Sequence, residues 1–207
     1  MNELIAVAVS YLFVASIVLF GVGLYLLRIV SAETTRKIIH IGVIHWWLIA
    51  VAFIDSTWVA LIGPLSFIVI NTLNVNLRLI PGIQREESKD FGTVYYAVSL
   101  SMITFAAYEF NMVTAASIAL FVMGYGDGFA ALIGKKVPSK KIRPNKSIGG
   151  SLTMVLVSFG VSYYWSQDVV ISFVIAITAG VVELFSPKGL DNLTVPFIIF
   201  VLVGLLL

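Results

Sequence analysis

This chain of 207 residues is too apolar for a soluble domain, since 59% of its residues are hydrophobic, 12% are charged and its mean hydropathy is +1.02. Soluble domains carry about 25% charged residues, so half that value with repeated apolar runs predicts a polytopic membrane protein. The absence of cysteine excludes disulfides and thiolate metal sites. No polar linker divides the chain, which predicts a single domain over residues 1–207.

Eight apolar runs predict an all-α transmembrane helical bundle. In chain order they are residues 4–28, 38–55, 57–79, 93–109, 111–134, 149–166, 168–186 and 192–207. A helix needs about 20 residues to cross the hydrocarbon, so the short second, fourth and last runs leave seven spans as an alternative. The first run lacks a basic leader and a small-residue cleavage pattern, so it is interpreted as a retained span rather than a signal peptide.

The basic residues all fall on one side of this bundle. With eight spans, the 13 Lys and Arg residues lie in or beside the first, third, fifth and seventh connections, among them Arg85, Lys89 and Lys188. Because basic residues concentrate in cytoplasmic loops, this side is predicted to face the cytoplasm, with both termini outside. The basic cluster within residues 135–146 could alternatively do no more than fix this topology or contact anionic lipid.

Two carboxylates interrupt apolar spans, Asp127 in the fifth and Glu183 in the seventh. An ionised carboxylate in hydrocarbon costs roughly 2.5–3.5 kcal/mol on insertion scales, so such residues usually face a cavity, a partner or a metal. Either one could instead reach water at the end of its helix. Gly124, Gly126 and Gly128 surround Asp127 and permit a broken helix or the close approach of a ligand.

Further polar residues gather on the same predicted side. Arg36 and His40 share one face of the second span, while the deeper His45 is interpreted as a core or interfacial histidine. Asp191 and Asn192 stand where the last helix begins, and either could be only an N-cap. Acids that hold Mg²⁺ beside bases that hold phosphate indicate phosphoryl chemistry at the membrane surface.

Familiar nucleotide motifs do not account for the basic loop. Residues 128–136 are one residue too long for a P-loop and lack Ser or Thr after the lysine, and no strand precedes them for a dinucleotide fingerprint. Lys146 and Ser147, followed by a glycine pair and Ser151, would instead offer backbone N–H groups and a positive helix end to an anion.

Five segments together resemble the CTP-dependent polyprenol kinase family, which includes dolichol, phytol and farnesol kinases and the yeast-type diacylglycerol kinase. They are RKIIHIG (36–42), GTVYYAVSL (92–100), GDGFAALIGKK (126–136), NKSIGGS (145–151) and VELFSPKGLDNLTVP (182–196). The resemblance implies an integral membrane enzyme that moves the γ-phosphate of a nucleoside triphosphate, usually CTP, onto a lipid alcohol with Mg²⁺ as cofactor. Gly149 departs from the family pattern, which often has Glu there, so Glu183 or Asp191 would have to supply that ligand.

The residues and the resemblance together give the expected site. The catalytic residues are Asp127, His40, Lys146 and Glu183. The Mg²⁺ ligands are Asp127, Glu183, Asp191 and Asn192. The nucleotide-binding residues are Arg36, Lys37, Gly126, Lys135, Lys141, Arg143, Lys146, Ser147, Gly150 and Ser151. Tyr95 and Tyr96 are expected to line the alcohol pocket, with interfacial anchoring as the alternative, and the general base is either His40 or a carboxylate.

Two other functions stay open at this point. A lipid cytidylyltransferase would share the Gly-Asp acid, but Ala131 stands where its signature requires Ser, and Gly134 and Lys135 stand in place of Lys-Arg. A small ion-coupled transporter would use intramembrane acids, but no repeat relates the two halves. No nucleic-acid partner is expected, and neither the alcohol's chain length nor the oligomeric state follows from the sequence.

Overall fold

The structure, a computed structural model, describes residues 2–83, 90–143, 146–187 and 189–207. Within them the chain forms ten α-helices, one π-helical segment and one two-stranded hairpin. These are α1 (Glu3–Leu26), α2 (Ala32–Val43), α3 (Trp46–Phe53), α4 (Thr57–Leu77), α5 (Gly92–Glu109), α6 (Val113–Phe121), the π segment (Val122–Asp127), α7 (Gly128–Lys136), β1 (Lys141–Arg143), β2 (Lys146–Ser147), α8 (Ile148–Ser166), α9 (Val169–Phe185) and α10 (Asp191–Leu206). Arg85, Lys89 and Lys188, which the charge pattern used, lie outside the described residues.

The helices confirm the predicted all-α membrane bundle. Because α2 and α3 form one interrupted segment, and α6, the π segment and α7 form another, the described helices make eight segments that match the eight apolar runs. Five segments are long and apolar enough to cross a membrane, namely Glu3–Leu26, Ala32–Phe53, Thr57–Leu77, Val113–Lys136 and Ile148–Ser166. The helices α9 and α10 are apolar but shorter, so the number of crossings and their orientation stay predictions.

The second segment begins at Ala32, well before the predicted residue 38. Ser31 supplies the N-cap, since its hydroxyl accepts a hydrogen bond from the backbone N–H of Thr34 at 3.3 Å. The polar residues that follow belong to the helix because several of them face the protein interior, as Thr35 and Lys37 do. Hydropathy alone could not place the start of this helix, because a polar residue lowers the hydropathy of a segment whether it is buried or exposed.

Close packing of α2 on the π segment positions the centre of the bundle. A Cβ atom at Gly124 would lie 2.9 Å from Ile44 Cβ, and one at Gly128 would lie 2.4 Å from Ile41 Cγ1. On another side of the segment, a Cβ atom at Gly126 would lie 2.6 Å from the sulfur of Met154 in α8. These three glycines therefore let two helices contact the π backbone directly, and Asp127 ends that segment as a buried residue.

A short hairpin, which the sequence did not predict, joins α7 to α8. Its strands are antiparallel, with Lys141 opposite Ser147 and Arg143 opposite Lys146. Ser147 then caps α8, because its hydroxyl accepts a hydrogen bond from the N–H of Gly150 at 3.2 Å. The hairpin thus brings its basic side chains to the first turn of α8.

Candidate active site

Three buried carboxylates from distant parts of the chain meet at one point. They belong to Asp127 at the end of the π segment, Glu183 near the end of α9 and Asp191 at the start of α10, and one oxygen of each lies within 4.8 Å of the others. The three residues are only 5%, 4% and 8% exposed, respectively. We call them the acid trio. Such buried charges require compensating groups nearby.

Two lysines provide that compensation. Lys37 of α2 donates to Asp127 Oδ2, while Lys146 of β2 donates to Glu183 Oε1 and, at 3.0 Å, to Asp191 Oδ2. When all are ionised, three carboxylates face two ammonium groups, which leaves one negative charge in excess. Burial of Lys146 opposes its charge, but the carboxylates of Asp191 and Glu183 outweigh that effect and raise its pKa, so Lys146 stays protonated at neutral pH.

Two buried oxygens in the site have no hydrogen-bond donor among the described residues. They are Glu183 Oε2 and the amide oxygen of Asn192. An unpaired buried acceptor costs about 1–3 kcal/mol, so an additional group is expected to bind these atoms. Carboxylate and amide oxygens are the ligands that Mg²⁺ prefers. The acid trio and Asn192 therefore fit a divalent cation by their chemistry.

The acid trio opens into a cavity of about 1030 Å³, which is large enough for a nucleoside triphosphate. Six cationic residues line it, namely Arg36, Lys37, Lys135, Lys141, Arg143 and Lys146. The first turn of α8 contributes Ser147, Gly150 and Ser151, and the buried Ser151 hydroxyl has no hydrogen-bond partner among the described residues. A helix N-terminus beside lysines and arginines is suited to phosphate.

Four of the expected site residues do not line this cavity. They are His40, Gly126, Tyr95 and Tyr96. His40 lies behind Asp127, with its Nε2 3.6 Å from Asp127 Oδ2, and it donates from that nitrogen to the carbonyl of Met123 at 3.2 Å. The Tyr96 hydroxyl donates to the backbone carbonyl of His40 at 3.1 Å. Gly126 packs on Met154, and Tyr95 is a partly exposed residue of α5.

Asp90 is a site residue that sequence reasoning missed. Its Oδ2 accepts a hydrogen bond from Arg36 at 2.8 Å, and its Oδ1 accepts one from the N–H of Gly92 at 2.9 Å. Its side chain is only 8% exposed. The available signal was an acid two residues before the GTVYY segment, but in one sequence such a residue is indistinguishable from a solvated loop carboxylate.

Two further contacts connect the elements around the site. The side-chain amide of Asn192 donates a hydrogen bond to the backbone carbonyl of Gly92 at 2.9 Å, and the backbone carbonyl of Asn192 accepts one from the Ser99 hydroxyl at 2.6 Å. These two bonds anchor α10 to α5. The Arg143 guanidinium lies 4.7 Å from the ring centroid of Phe185. That cation–π contact holds the hairpin next to the end of α9, where Glu183 lies.

Comparison with known proteins gives one consistent group of relatives. The chain is 34% identical to the phytol kinase of Synechocystis sp. over 208 residues, covering 93% of this chain and 87% of that protein. It is 30% identical to the probable chloroplastic phytol kinase 2 of Oryza sativa, covering 89% and 72%. It is also 30% identical to the chloroplastic phytol kinase 1 of Arabidopsis thaliana, covering 68% of this chain and 51% of that protein. No family model and no solved structure matches the chain.

Proposed function

Because this chain belongs to the phytol kinase family, we propose that it is a membrane lipid-alcohol kinase. It transfers the γ-phosphate of a nucleoside triphosphate to the hydroxyl of a prenol such as phytol. CTP is the proposed donor, on the strength of the resemblance of its five segments to CTP-dependent polyprenol kinases. The proposed location is the cytoplasmic face of the cell membrane, in keeping with the one-sided distribution of lysine and arginine.

The observation that carries this proposal is the acid trio inside a cation-lined cavity. Phosphoryl transfer asks the protein mainly to position its substrates and to neutralise charge. Asp127, Glu183 and Asp191, with the Asn192 amide oxygen, would hold Mg²⁺, which when bound neutralises triphosphate charge. Lysines and arginines of the cavity wall hold the phosphates themselves.

The basic residues divide this task by position. Lys141 and Arg143 lie on the hairpin, and Lys135 lies on the last turn of α7. Because these three described residues form no hydrogen bond or ion pair with the acid trio, their proposed role is to bind the nucleotide away from its γ-phosphate. Lys146 contacts two members of the acid trio, so it stands next to the transferred phosphoryl group. Asp90, which is not among the described residues that line the cavity, fixes the Arg36 guanidinium through an ion pair at 2.8 Å. The proposed role of this arrangement is to orient the γ-phosphate toward the alcohol.

The reaction follows from this arrangement. The alcohol oxygen forms a bond to the γ-phosphorus while the bond to the β–γ bridging oxygen breaks, and the nucleoside diphosphate leaves with that electron pair. The hydroxyl proton passes to a carboxylate of the acid trio. We assign it there rather than to His40 because Nε2 of His40 is occupied as a donor to Met123 and the ring does not line the cavity. The proposed task of His40 is to hold the backbone of the π segment, through the Met123 carbonyl, and thereby to position Asp127 at the end of that segment.

The test is a product assay on purified protein in lipid nanodiscs with Mg²⁺, phytol and either CTP or ATP labelled in the γ-phosphate. We expect phytyl monophosphate and the nucleoside diphosphate. Release of pyrophosphate with a cytidine-linked lipid would instead identify a cytidylyltransferase, and absence of any phosphorylated lipid over a panel of prenols would overturn the proposal.

The matched control replaces a carboxylate outside the site. Glu109→Gln removes an exposed acid at the end of α5, whose contact is the Thr57 hydroxyl at 2.7 Å. This variant should retain full activity, whereas Glu183→Gln should lose it. Equal loss in both variants would point to unfolding rather than to chemistry.

A further inference from the structure

One part of the cavity wall is apolar and lies at the ends of two lipid-facing helices. It is formed by Tyr25 in the last turns of α1, Ala32 at the start of α2 and Ile83 shortly after α4. We call these three residues the apolar mouth. None of its residues belongs to the cationic hairpin, although Lys135 of α7 forms an ion pair at 3.3 Å with Glu33, the residue after Ala32.

The backbone holds this mouth together. Gly82 has a φ of +76°, and a Cβ atom there would lie 2.8 Å from Cγ and Cδ1 of the Tyr25 ring. The turn after α4 therefore rests directly on Tyr25, in a conformation that favours glycine. Ile83, the next residue, is only 7% exposed and also lines the cavity.

Exposed apolar side chains surround the mouth on the outside. Leu26, Leu27 and Ile29 follow Tyr25 at the end of α1, and Leu77 and Leu79 flank the end of α4, with exposed fractions between 61% and 72%. In a membrane bundle such residues contact hydrocarbon chains. The exposed Arg28 and Arg78 stand among these residues, so the cavity meets the bilayer here at the level where the hydrocarbon chains border the head groups.

One face of α2 leads from the mouth to the acid trio. Ala32, Arg36 and Lys37 all line the cavity, and Lys37 donates to Asp127. At about 1.5 Å per residue, Lys37 lies roughly 7.5 Å along the helix from Ala32. A molecule that enters at the mouth thus reaches the reacting centre within a short length of its chain.

We propose that the apolar mouth is the entrance of the lipid alcohol, whose hydroxyl reaches Asp127 along α2 while its tail stays in the bilayer against the ends of α1 and α4. This inference rests on the proposed kinase function and deepens it by assigning the two substrates to different parts of the cavity. The nucleotide takes the part of the cavity lined by Lys141, Arg143 and Lys146, because phosphate requires cationic side chains and the three residues of the mouth carry no charge.

The first test needs no catalysis. A phytol analogue that carries a diazirine in its chain, several carbons from the hydroxyl so that it lies at the mouth when the hydroxyl is at Asp127, is incubated with the protein in nanodiscs, without nucleotide, and irradiated. The adducts are located by mass spectrometry. We expect adducts in the segments that contain Tyr25 and Ile83, and their loss with excess unlabelled phytol. Competable adducts only at other helices, or none that compete, would overturn the proposal.

The second test is kinetic. Ile83→Trp narrows the mouth and should raise KM for phytol about tenfold relative to a short water-soluble alcohol, with KM for the nucleotide unchanged. Leu19→Trp, at a 72% exposed position of α1, is the matched control and should change neither. An equal rise for both alcohols, or a rise for the nucleotide alone, would contradict the assignment. Should Ile83→Trp not fold, Tyr25→Ala widens the mouth and should weaken the preference for phytol over the short alcohol.

The two tests separate this inference from the kinase proposal. Competable adducts at the mouth in a protein without phosphotransferase activity would leave the lipid site standing and remove the reaction. Activity with adducts confined elsewhere would leave the reaction standing and remove the mouth.

Discussion

The ion pair between Lys37 and Asp127 allows stability and catalysis to be separated by mutation. Asp127→Asn keeps the side-chain volume but removes the charge, which leaves the ammonium of Lys37, with only 9% of its side chain exposed, without its carboxylate partner. Breaking a buried pair costs roughly 3–5 kcal/mol, and we expect about 3 because Glu183 and Asp191 remain close. Activity should fall by about 100-fold or more, since a charged group of the reacting centre is lost.

The double variant Lys37→Met/Asp127→Asn distinguishes the two effects. Replacing both partners removes the unpaired charge, so most of the lost stability, about 2 kcal/mol, should return while activity stays as low as in Asp127→Asn. Unfolding in mixed SDS micelles measures stability, and formation of phytyl phosphate measures activity. A double variant as unstable as Asp127→Asn, or a single variant that keeps most of its activity, would refute the ion pair or the role of Asp127.

Three further predictions concern positions around the site. Asp90→Asn should release Arg36 and raise KM for the nucleotide about tenfold with a smaller change in kcat, and Asp90→Glu should recover part of the loss. Gly126→Ala should destabilise the protein by about 1–3 kcal/mol because its Cβ meets Met154, and adding Met154→Ala should relieve that clash in the same unfolding assay. Since the chain has no cysteine, Lys140→Cys and Asp55→Cys, both at exposed positions, should react with impermeant maleimide from opposite sides of the membrane; labelling of both from one side would contradict the topology.

The positions of the helices were predictable because a bilayer imposes a length and a hydropathy on each span. The beginning of α2 was not, since Lys37 is buried by its pairing with Asp127, and a contact 90 residues away cannot be read from hydropathy. The strand pair Lys141–Arg143 and Lys146–Ser147 was also missed. Two short strands with basic side chains carry no alternating pattern, so tertiary contacts such as that of Arg143 with Phe185 determine them.

Within the site, the sequence indicated which acids were unusual but not how they were arranged. Asp127 and Glu183 stood out because carboxylates are rare in apolar spans, and Asp191 followed from its place in a motif. Their mutual distances depend on how α9, α10 and the π segment pack. The π segment and α9 both pack on α8 at glycines, since Gly126 meets Met154 and Gly180 meets Val155. Asp90 lies neither in an apolar span nor in a recognised motif, and its polar neighbours in the sequence are typical of an ordinary solvent-exposed loop.

The charge balance of the site explains why its residues should act as a unit. The three carboxylates of the acid trio carry one more negative charge than Lys37 and Lys146 can balance. Binding of a cation therefore stabilises the group, whereas loss of either lysine increases the uncompensated negative charge. Both lysines line the same cavity in which a triphosphate would bind. Each therefore balances the acid trio and also lies within reach of the phosphates, so substitution of either lysine should impair nucleotide binding and stability together. In buried groups that share partners, such effects are not additive, so double variants rather than single ones are needed to assign the role of each residue.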